Sequence, residues 1–290
     1  MNGDEINNSP GCEHKEMVIN FGTRSEEEAA EFKEPFGIIV ERVKPGRMKY
    51  TGTTNRDRYL RTYWWLFRGH RAEIAEFSNN NTMVIAKSVV SKHSIFTFVD
   101  TSTVCTAATY VFLSQSYSIF AQVQSTIHDL WALYFGSTLR TDPRYIVGRC
   151  FKTFPLSFTN EVDRVGREYY DYRTAISKDK GIGLTDLYNQ FHDRNDSSNE
   201  IVKLRENRIK LDAAVWSIHD PEPIDFKYDF FDTPHGTRFT IDLESKSRML
   251  RELSRINRQR SEEEQLSNKK KTRRRTKKTA AAGMLFDDEG

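Results

Sequence analysis

Cysteine is scarce and scattered in this chain. The 290 residues include three cysteines, Cys12, Cys105 and Cys150, an odd number without close spacing. This set excludes a disulfide framework and is typical of a reducing cytoplasm. No second Cys or His pair at zinc spacing follows Cys12 and His14, so we expect a surface loop there and no metal site.

Long apolar runs and a secretory leader are also missing. No apolar stretch approaches the ~18 residues of a membrane span. The N-terminal sequence MNGDEINNSPG has no basic region followed by an apolar one. We therefore expect a cytoplasmic protein without a membrane partner. With 37% hydrophobic and 12% aromatic residues, the chain can bury one good core or two modest ones.

Charge is unevenly distributed along the chain. The formal net charge is +3, but residues 1–40 and 161–268 are acidic, whereas residues 41–160 carry a net charge of +8. A surface that follows phosphates requires a basic region of this kind. For any single residue the alternative is a solvated charged face, which the clustering makes a weaker explanation.

A second basic region lies near the C-terminus. Residues 269–278, KKKTRRRTKK, contain no apolar residue, so we expect residues 266–290 to form a disordered basic tail. The tail either contacts DNA without regard to sequence or solubilises the end of the chain, and its composition favours DNA contact. Its basic side chains are Lys269, Lys270, Lys271, Arg273, Arg274, Arg275, Lys277 and Lys278.

The hydrophobic patterns predict an α+β fold in four parts. Residues 1–45 form a lead-in segment with amphipathic helices, and residues 46–160 mix strands and helices. Residues 161–265 form a helical region, and the basic tail follows. Runs of β-branched and aromatic residues predict strands at 83–85, 95–99 and 109–113. Helical spacing predicts helices at 25–45, 160–178, 199–218 and 242–265.

A helix followed by a short connector stands out between residues 118 and 155. Apolar residues recur at helical spacing up to Tyr134, and Gly136 stands where a helix stop is expected. His128, on the buried face of this helix, is expected to be structural. The connector carries the charged residues Arg140, Asp142, Arg144 and Arg149.

Several segments resemble one known family. Residues 84–99, VIAKSVVSKHSIFTFV, are similar to the family's paired strands, and residues 128–133, HDLWAL, are similar to its tryptophan helix. Residues 142–145, DPRY, and residues 150–155, CFKTFP, are similar to the ending that follows. In this order the motifs resemble the MmeI-like target-recognition domain, and the resemblance implies a DNA target-recognition domain at residues 46–160. Further likenesses lie at residues 2–5, 18–22, 184–189 and 211–215.

The resemblance implies a function and also a missing part. Domains of this family read DNA in large adenine-specific DNA methyltransferases and fused restriction-modification enzymes of bacterial type. A complete enzyme has, ahead of this region, a Rossmann-like domain with a glycine-rich cofactor loop and an Asn-Pro-Pro-Tyr/Phe motif. This sequence contains neither motif, and its close glycine pair, Gly181 and Gly183, is expected to be a flexible connector.

The chain is therefore expected to be the C-terminal, non-catalytic half of such an enzyme. S-adenosylmethionine would be bound by a separate catalytic domain encoded upstream, and double-stranded DNA would be the shared substrate. A chain with its own methyltransferase activity is disfavoured by the missing motifs, and we find no set of nucleophile, base and orienting residue. A remnant without a catalytic partner, or a generic nucleic-acid binder, is the remaining alternative.

The resemblance also implies where bases are read. In the family, the segment between the tryptophan helix and the Arg-Tyr pair carries variable side chains that contact bases, and here it holds Arg140 and Asp142. In the major groove Arg pairs with guanine, and a carboxylate accepts from cytosine. Spacing alone favours a surface ion pair between the two residues, whereas the family resemblance favours base reading.

Other polar residues are expected to position the DNA backbone. His93 is either one of these contacts or a turn residue between two strands. Trp64 and Trp65 are expected in the core, although aromatic pairs also stack on exposed bases. The candidates for phosphate or groove contacts are Lys87, Ser91, Lys92, His93, Arg144, Arg56, Arg58 and Arg61.

Overall fold

The structure is a computed structural model that describes residues 1–14, 16–67, 72–139, 142–220 and 225–283. For residues 72, 138, 139, 142 and 268–283 the description covers the backbone. The chain divides into two compact units. The first comprises Met1–Ser116 and Tyr170–Gln190, and the second comprises Tyr117–Tyr169 and the chain from Phe191 onward.

The elements follow in chain order. Helices α1 to α6 are Gly3–Asn8, Glu26–Ala30, Lys33–Arg42, Lys44–Met48, Asn55–Thr62 and Ala72–Ser78. Strands β1 to β3 are Met83–Ser88, Thr97–Asp100 and Thr109–Phe112. Then come α7 (Tyr117–Gln124), α8 (Thr126–Phe135), β4 (Ser137–Leu139), β5 (Asp142–Arg144) and α9 (Val147–Cys150). The last elements are α10 (Asn160–Lys180), α11 (Leu184–Phe191), α12 (Asn199–Ser217), β6 (Tyr228–Thr233), β7 (Gly236–Ile241) and α13 (Leu243–Gly283).

The first unit is built on an antiparallel sheet with the strand order β2-β1-β3. Val84 of β1 pairs with Val99 of β2, and Ile85 of β1 pairs with both Phe98 and Phe112. These side chains are buried, as β-branched and aromatic residues on a pleated, covered surface are expected to be. The three strands predicted from the sequence are confirmed, and the fold is α+β.

A buried arginine joins the second half of α10 to this sheet. The Arg173 side chain is fully buried. Its guanidinium donates to the Phe96 carbonyl oxygen at 2.9 Å and to the Tyr188 hydroxyl at 3.4 Å. A buried charge is tolerated when hydrogen bonds replace its hydration, so Arg173 links α10 and α11 to the residue that precedes β2.

The lead-in helices have a small core of their own. Its buried members are Phe21, Ala29, Ile39, Trp64 and Leu66. The prediction of amphipathic helices in residues 25–45 is confirmed by α2 and α3, and Trp64 is a core residue as expected. Its neighbour Trp65 is half-buried, and its indole Nε1 donates to the Arg24 carbonyl oxygen at 2.9 Å.

Cys12 is buried, which corrects the expectation of a surface loop. It ends a 3₁₀ turn, Pro10–Cys12, and its Sγ donates to the Ile6 carbonyl oxygen at 3.4 Å. Burial raises the pKa of the Cys12 thiol. Its neighbour His14 is exposed. In the described part of the chain, no three His, Cys, Asp or Glu side chains come together as a possible metal site.

The predicted tryptophan helix is two helices, α7 and α8, with a break at Ser125. Ser125 has extended backbone angles, and its hydroxyl accepts from the His128 N–H at 3.1 Å while donating to the Gln122 carbonyl oxygen at 2.6 Å. A serine at this position caps the helix that follows. The apolar spacing continues across the break, because Phe120, Ile127 and Trp131 are all fully buried.

The second unit also contains an antiparallel hairpin that was not predicted from the sequence. Strands β6 and β7 pair Phe230 with Phe239 and Tyr228 with Ile241. Helices α10, α12 and α13 lie where helical spacing predicted helices, at 160–178, 199–218 and 242–265. No helix in the described ranges combines the length and apolar character needed to cross a membrane.

The helical backbone of α13 includes the basic run at residues 269–278 and continues to Gly283. Lys, Arg and Ala have high helix propensity, and this stretch has no proline and no glycine before Gly283. These residues therefore extend the helix, although their composition offers no apolar face to bury.

Candidate nucleic-acid interface

The residues of the HDLWAL and CFKTFP motifs pack together in the second unit. His128 is fully buried, and its Nε2 lies 3.1 Å from the Tyr145 hydroxyl. The Trp131 indole Nε1 donates to the Thr153 hydroxyl at 3.1 Å. The Phe154 ring packs edge-on against His128, with ring centroids 4.8 Å apart. The prediction that His128 is structural agrees with this burial, and the motifs form a packed base for the connector between them.

The connector folds back on the end of α8 as a short hairpin. Strands β4 and β5 are antiparallel, with Ser137 opposite Arg144 and Leu139 opposite Asp142. Asp142 begins β5, whereas Arg140 lies outside the described residues.

Gly136 is the residue that joins α8 to this hairpin. A Cβ atom at this position would lie 2.5 Å from the Ala132 carbonyl oxygen and 3.2 Å from the Arg144 carbonyl oxygen. Only glycine permits such a close approach of two backbones. The Arg144 side chain is exposed and the next residue, Tyr145, is buried, so the hairpin presents Arg144 outward while Tyr145 anchors it.

A buried polar network supports the start of α8. The Asp212 carboxylate, fully buried on α12, accepts from the Thr126 N–H at 2.8 Å and from the Tyr228 hydroxyl at 2.8 Å. Burial raises the pKa of Asp212, against the opposing effect of the Arg208 charge. Arg208 donates to the Gln124 carbonyl oxygen at 2.7 Å.

This network was not predicted as part of the site. An aspartate within the apolar stretch LDAAVW is the one signal that the sequence offered. Its partners are distant in sequence, since Thr126 stands 86 residues away. The sequence therefore did not reveal which residues they are.

Three of the four candidate contacts around β1 in the first unit are buried. The Lys87 ammonium lies 4.8 Å from the centre of the Phe96 ring. The Ser91 hydroxyl donates to the Asn7 side-chain oxygen at 3.2 Å. His93 Nε2 lies 3.0 Å from the side-chain oxygen of Asn189. The expectation that Lys87, Ser91 and His93 contact phosphate is not supported by their burial, because a side chain must reach the surface to do so.

Lys92 is the exposed member of this group. Its ammonium donates to the Asn189 side-chain oxygen at 2.7 Å, the same atom that His93 approaches. Asn189 therefore contacts two residues of the loop between β1 and β2, and Lys92 is the charged tip of that loop.

Helix α5 carries the other basic candidates of the first unit. Arg56, Arg58 and Arg61 are exposed, while Leu60 is buried on the opposite side. Two exposed tyrosines, Tyr59 and Tyr63, lie beside them with ring centroids 5.1 Å apart. Cationic and aromatic side chains on one helix are the residue types that contact phosphates and bases.

The chain resembles known proteins in sequence and in fold. Residues 15–157, just under half of the chain, match the family model described as MmeI, target recognition domain. Among solved structures, the chain is similar to the type IIL restriction-modification enzyme MmeI in complex with DNA, with 17% sequence identity and a TM-score of 0.59. The similarity covers 83% of this chain and 28% of that chain, so this chain spans a minor part of that enzyme's length. No curated protein sequence matches the chain.

Proposed function

Because residues 15–157 match the family model of the MmeI target recognition domain, we propose that the chain chooses the DNA site for an adenine-N6 methyltransferase of a restriction-modification system. It binds duplex DNA and presents the site to a separate catalytic domain. That domain binds S-adenosylmethionine, flips the adenine out of the duplex and methylates it.

The mounting of the β4–β5 hairpin supports base reading by this part of the chain. His128, Trp131 and Phe154 fix its base, while Arg144 projects from it. A hairpin on a rigid support is a suitable place for side chains that must meet base edges with good geometry. We assign base reading to Asp142, which begins β5, and to Arg140, which precedes it in the sequence.

Phosphate contacts are assigned to exposed basic residues. Arg144 stands next to the base-reading positions, and Lys92 is the exposed tip of the β1–β2 loop. Lys87, Ser91 and His93 hold that loop in shape from beneath. Arg56, Arg58 and Arg61 on α5 are assigned to backbone contacts of the first unit, and the basic residues of 269–278 to contacts without sequence preference.

S-adenosylmethionine is assigned to the separate domain because the glycine pair of this chain has another role. Gly181 ends α10 with a positive φ of 63°. A Cβ atom at Gly183 would lie 2.4 Å from the Asn8 backbone carbons. The pair therefore closes a helix against a neighbouring backbone, and it does not form a strand-to-helix cofactor loop. Calorimetric titration should show no cofactor binding by the purified chain, and a one-site isotherm with methyl transfer to DNA would contradict the assignment.

The test of base reading is selection of binding sites from a randomised duplex pool. The wild-type chain should select one motif. Arg140→Ala and Asp142→Ala should each alter preference at a single position, with a discrimination change of about 1 to 3 kcal/mol. Arg149→Ala is the matched control, because Arg149 is an exposed arginine on α9 that is not assigned to bases. Selection of no motif by the wild type would favour a generic binder, and identical motifs for all variants would remove the two residues from base reading.

A further inference from the structure

A cationic groove lies on α13 in the second unit, and six of its seven lining residues lie outside the segment that matches the family model. Arginine side chains and hydroxyl groups line it, with one leucine. The lining residues are Tyr134, Ser247, Leu250, Arg251, Ser254, Arg255 and Arg258. We infer that this groove binds the phosphates of the same duplex whose bases the β4–β5 hairpin reads, an inference that rests on the proposed function.

The arginines of the groove are turned away from the protein core. Met249 and Leu253 are buried and hold the other face of α13 against the unit. Arg251, Arg255 and Arg258 are exposed, and their spacing of four and three residues places them on one side of the helix. The three arginines therefore do not help to pack α13 against the second unit.

Two of the three charges are available to an anion. In the described ranges, neither Arg251 nor Arg258 forms a hydrogen bond or an ion pair, and no carboxylate lines the groove. Arg255 Nε donates to both carboxylate oxygens of Glu252 at 3.0 Å. By contrast, the exposed Arg164 on α10 is bound to both Glu161 and Glu168. An arginine without a carboxylate partner can bind a phosphate without first giving up an ion pair.

The remaining lining residues suit a nucleic-acid backbone. Serine and tyrosine hydroxyls, with arginine, are common donors to phosphate oxygens. The Tyr134 side chain is 70% exposed, so its ring offers an apolar surface to a sugar without disturbing the core. Leu250 adds a half-buried apolar patch to the same wall.

The position of the groove favours the duplex as its occupant. Tyr134 lies on the last turn of α8, and β4 begins at Ser137. The groove therefore opens beside the base of the hairpin to which base reading is assigned. The basic tail is a separate patch, because Glu262, Glu263 and Glu264 lie between it and Arg258.

The experiment uses the full chain and a duplex that carries the site selected by the wild type. The binding constant is measured by fluorescence anisotropy as a function of salt for Arg251→Gln, Arg258→Gln and the double variant. Each phosphate that is no longer neutralised should lower the slope of log K against log salt by about 0.9, which is roughly eight-fold in affinity at 0.1 M salt. The selected motif should be unchanged, because phosphate contacts carry no sequence information.

Two further variants separate contact from fold. Arg251→Lys should keep most of the affinity, since lysine also binds phosphate as a point charge. Arg164→Gln removes an exposed arginine that carboxylates already neutralise, so its slope should equal that of the wild type. If wild type binds the site and the groove variants bind equally well with the same slope, the inference is wrong and the groove serves another partner. If wild type binds no duplex, both the proposed function and this inference fall.

Discussion

The Tyr145 hydroxyl lies 3.1 Å from Nε2 of His128, and both side chains are buried. The pair joins the end of the connector to the helix before it. Tyr145→Phe removes this hydrogen bond while keeping the ring. Because the buried imidazole nitrogen then lacks that partner, we expect a loss of about 1 to 3 kcal/mol in the free energy of unfolding. Urea titration measures it.

Tyr134→Phe is the matched control for this change. The Tyr134 side chain is 70% exposed, so its variant should stay within about 0.5 kcal/mol of the wild type. Equal midpoints for Tyr145→Phe and Tyr134→Phe would show that the His128 contact does not support the connector.

His219 should make stability depend on pH. Burial, with the nearby charge of Arg260, lowers the pKa of His219 to about 4. The unfolded chain takes up a proton as pH falls below about 6.5, whereas the folded chain does not do so until about 4. Stability contributed by the neutral histidine is therefore present above about pH 6.5 and is lost as pH falls toward 4, by an amount on the order of 3 kcal/mol.

The comparison for His219 is His219→Phe, which keeps a ring beside Phe154. Thermal or urea unfolding at several pH values between 7 and 4 is measured for both proteins. The difference between the two curves isolates His219, because the carboxylates contribute equally to both. Parallel curves would mean that the folded and unfolded histidines titrate alike.

Asp212 should be among the most sensitive positions of the second unit. Asp212→Ala leaves the Thr126 N–H and the Tyr228 hydroxyl without an acceptor and Arg208 without its counter-charge. Breaking a buried charge pair in this way costs about 3 to 5 kcal/mol. Asp212→Asn retains one acceptor and should cost less. Asp171→Ala, at an exposed position on α10, should be close to neutral, and an equal loss for both alanine variants would contradict this role.

The sequence predicted the elements whose signal is local. The apolar runs around Ile85, Phe98 and Val111 indicated the three strands of the first unit, and helical spacing indicated α10, α12 and most of α13. The β6–β7 hairpin was not predicted, and Pro221, Pro223 and Pro234 interrupt the apolar pattern of that part of the sequence. The break at Ser125 was also missed, since the apolar spacing passes through that capping residue without change.

The candidate site was harder to predict, because exposure depends on partners far along the chain. Lys87 and His93 were candidates for DNA-backbone contacts, which require exposed side chains. His93 is instead covered by Asn189, 96 residues away, and Lys87 lies over the Phe96 ring. The buried role of His128 was predictable, since it stands on the apolar face of its helix.

Deleting residues 269–290 should weaken DNA binding for all sequences alike. Eight positive charges are removed, and each phosphate that the protein ceases to neutralise lowers the slope of log K against log salt by about 0.9. The measurement is anisotropy on two unrelated duplexes over a range of salt concentrations. Deletion of residues 284–290 alone, which keeps the basic run, should leave the slope unchanged. Equal slopes for both deletions would mean that the basic run does not contact DNA.

Gly166 provides a test of packing against helix propensity. It lies within α10, where alanine is favoured over glycine by about 1 kcal/mol. A Cβ atom there would lie 2.3 Å from the Tyr117 carbonyl oxygen and 2.9 Å from the Ala121 Cβ. Relieving such overlap costs about 1 to 3 kcal/mol or more, so packing should win and Gly166→Ala should destabilise the protein. Gly148→Ala is the matched control, because no atom lies within 4 Å of its added Cβ and α9 should gain from the alanine. Stabilisation by both substitutions, measured as urea midpoints, would show that α10 does not approach α7 as closely as the structure places it.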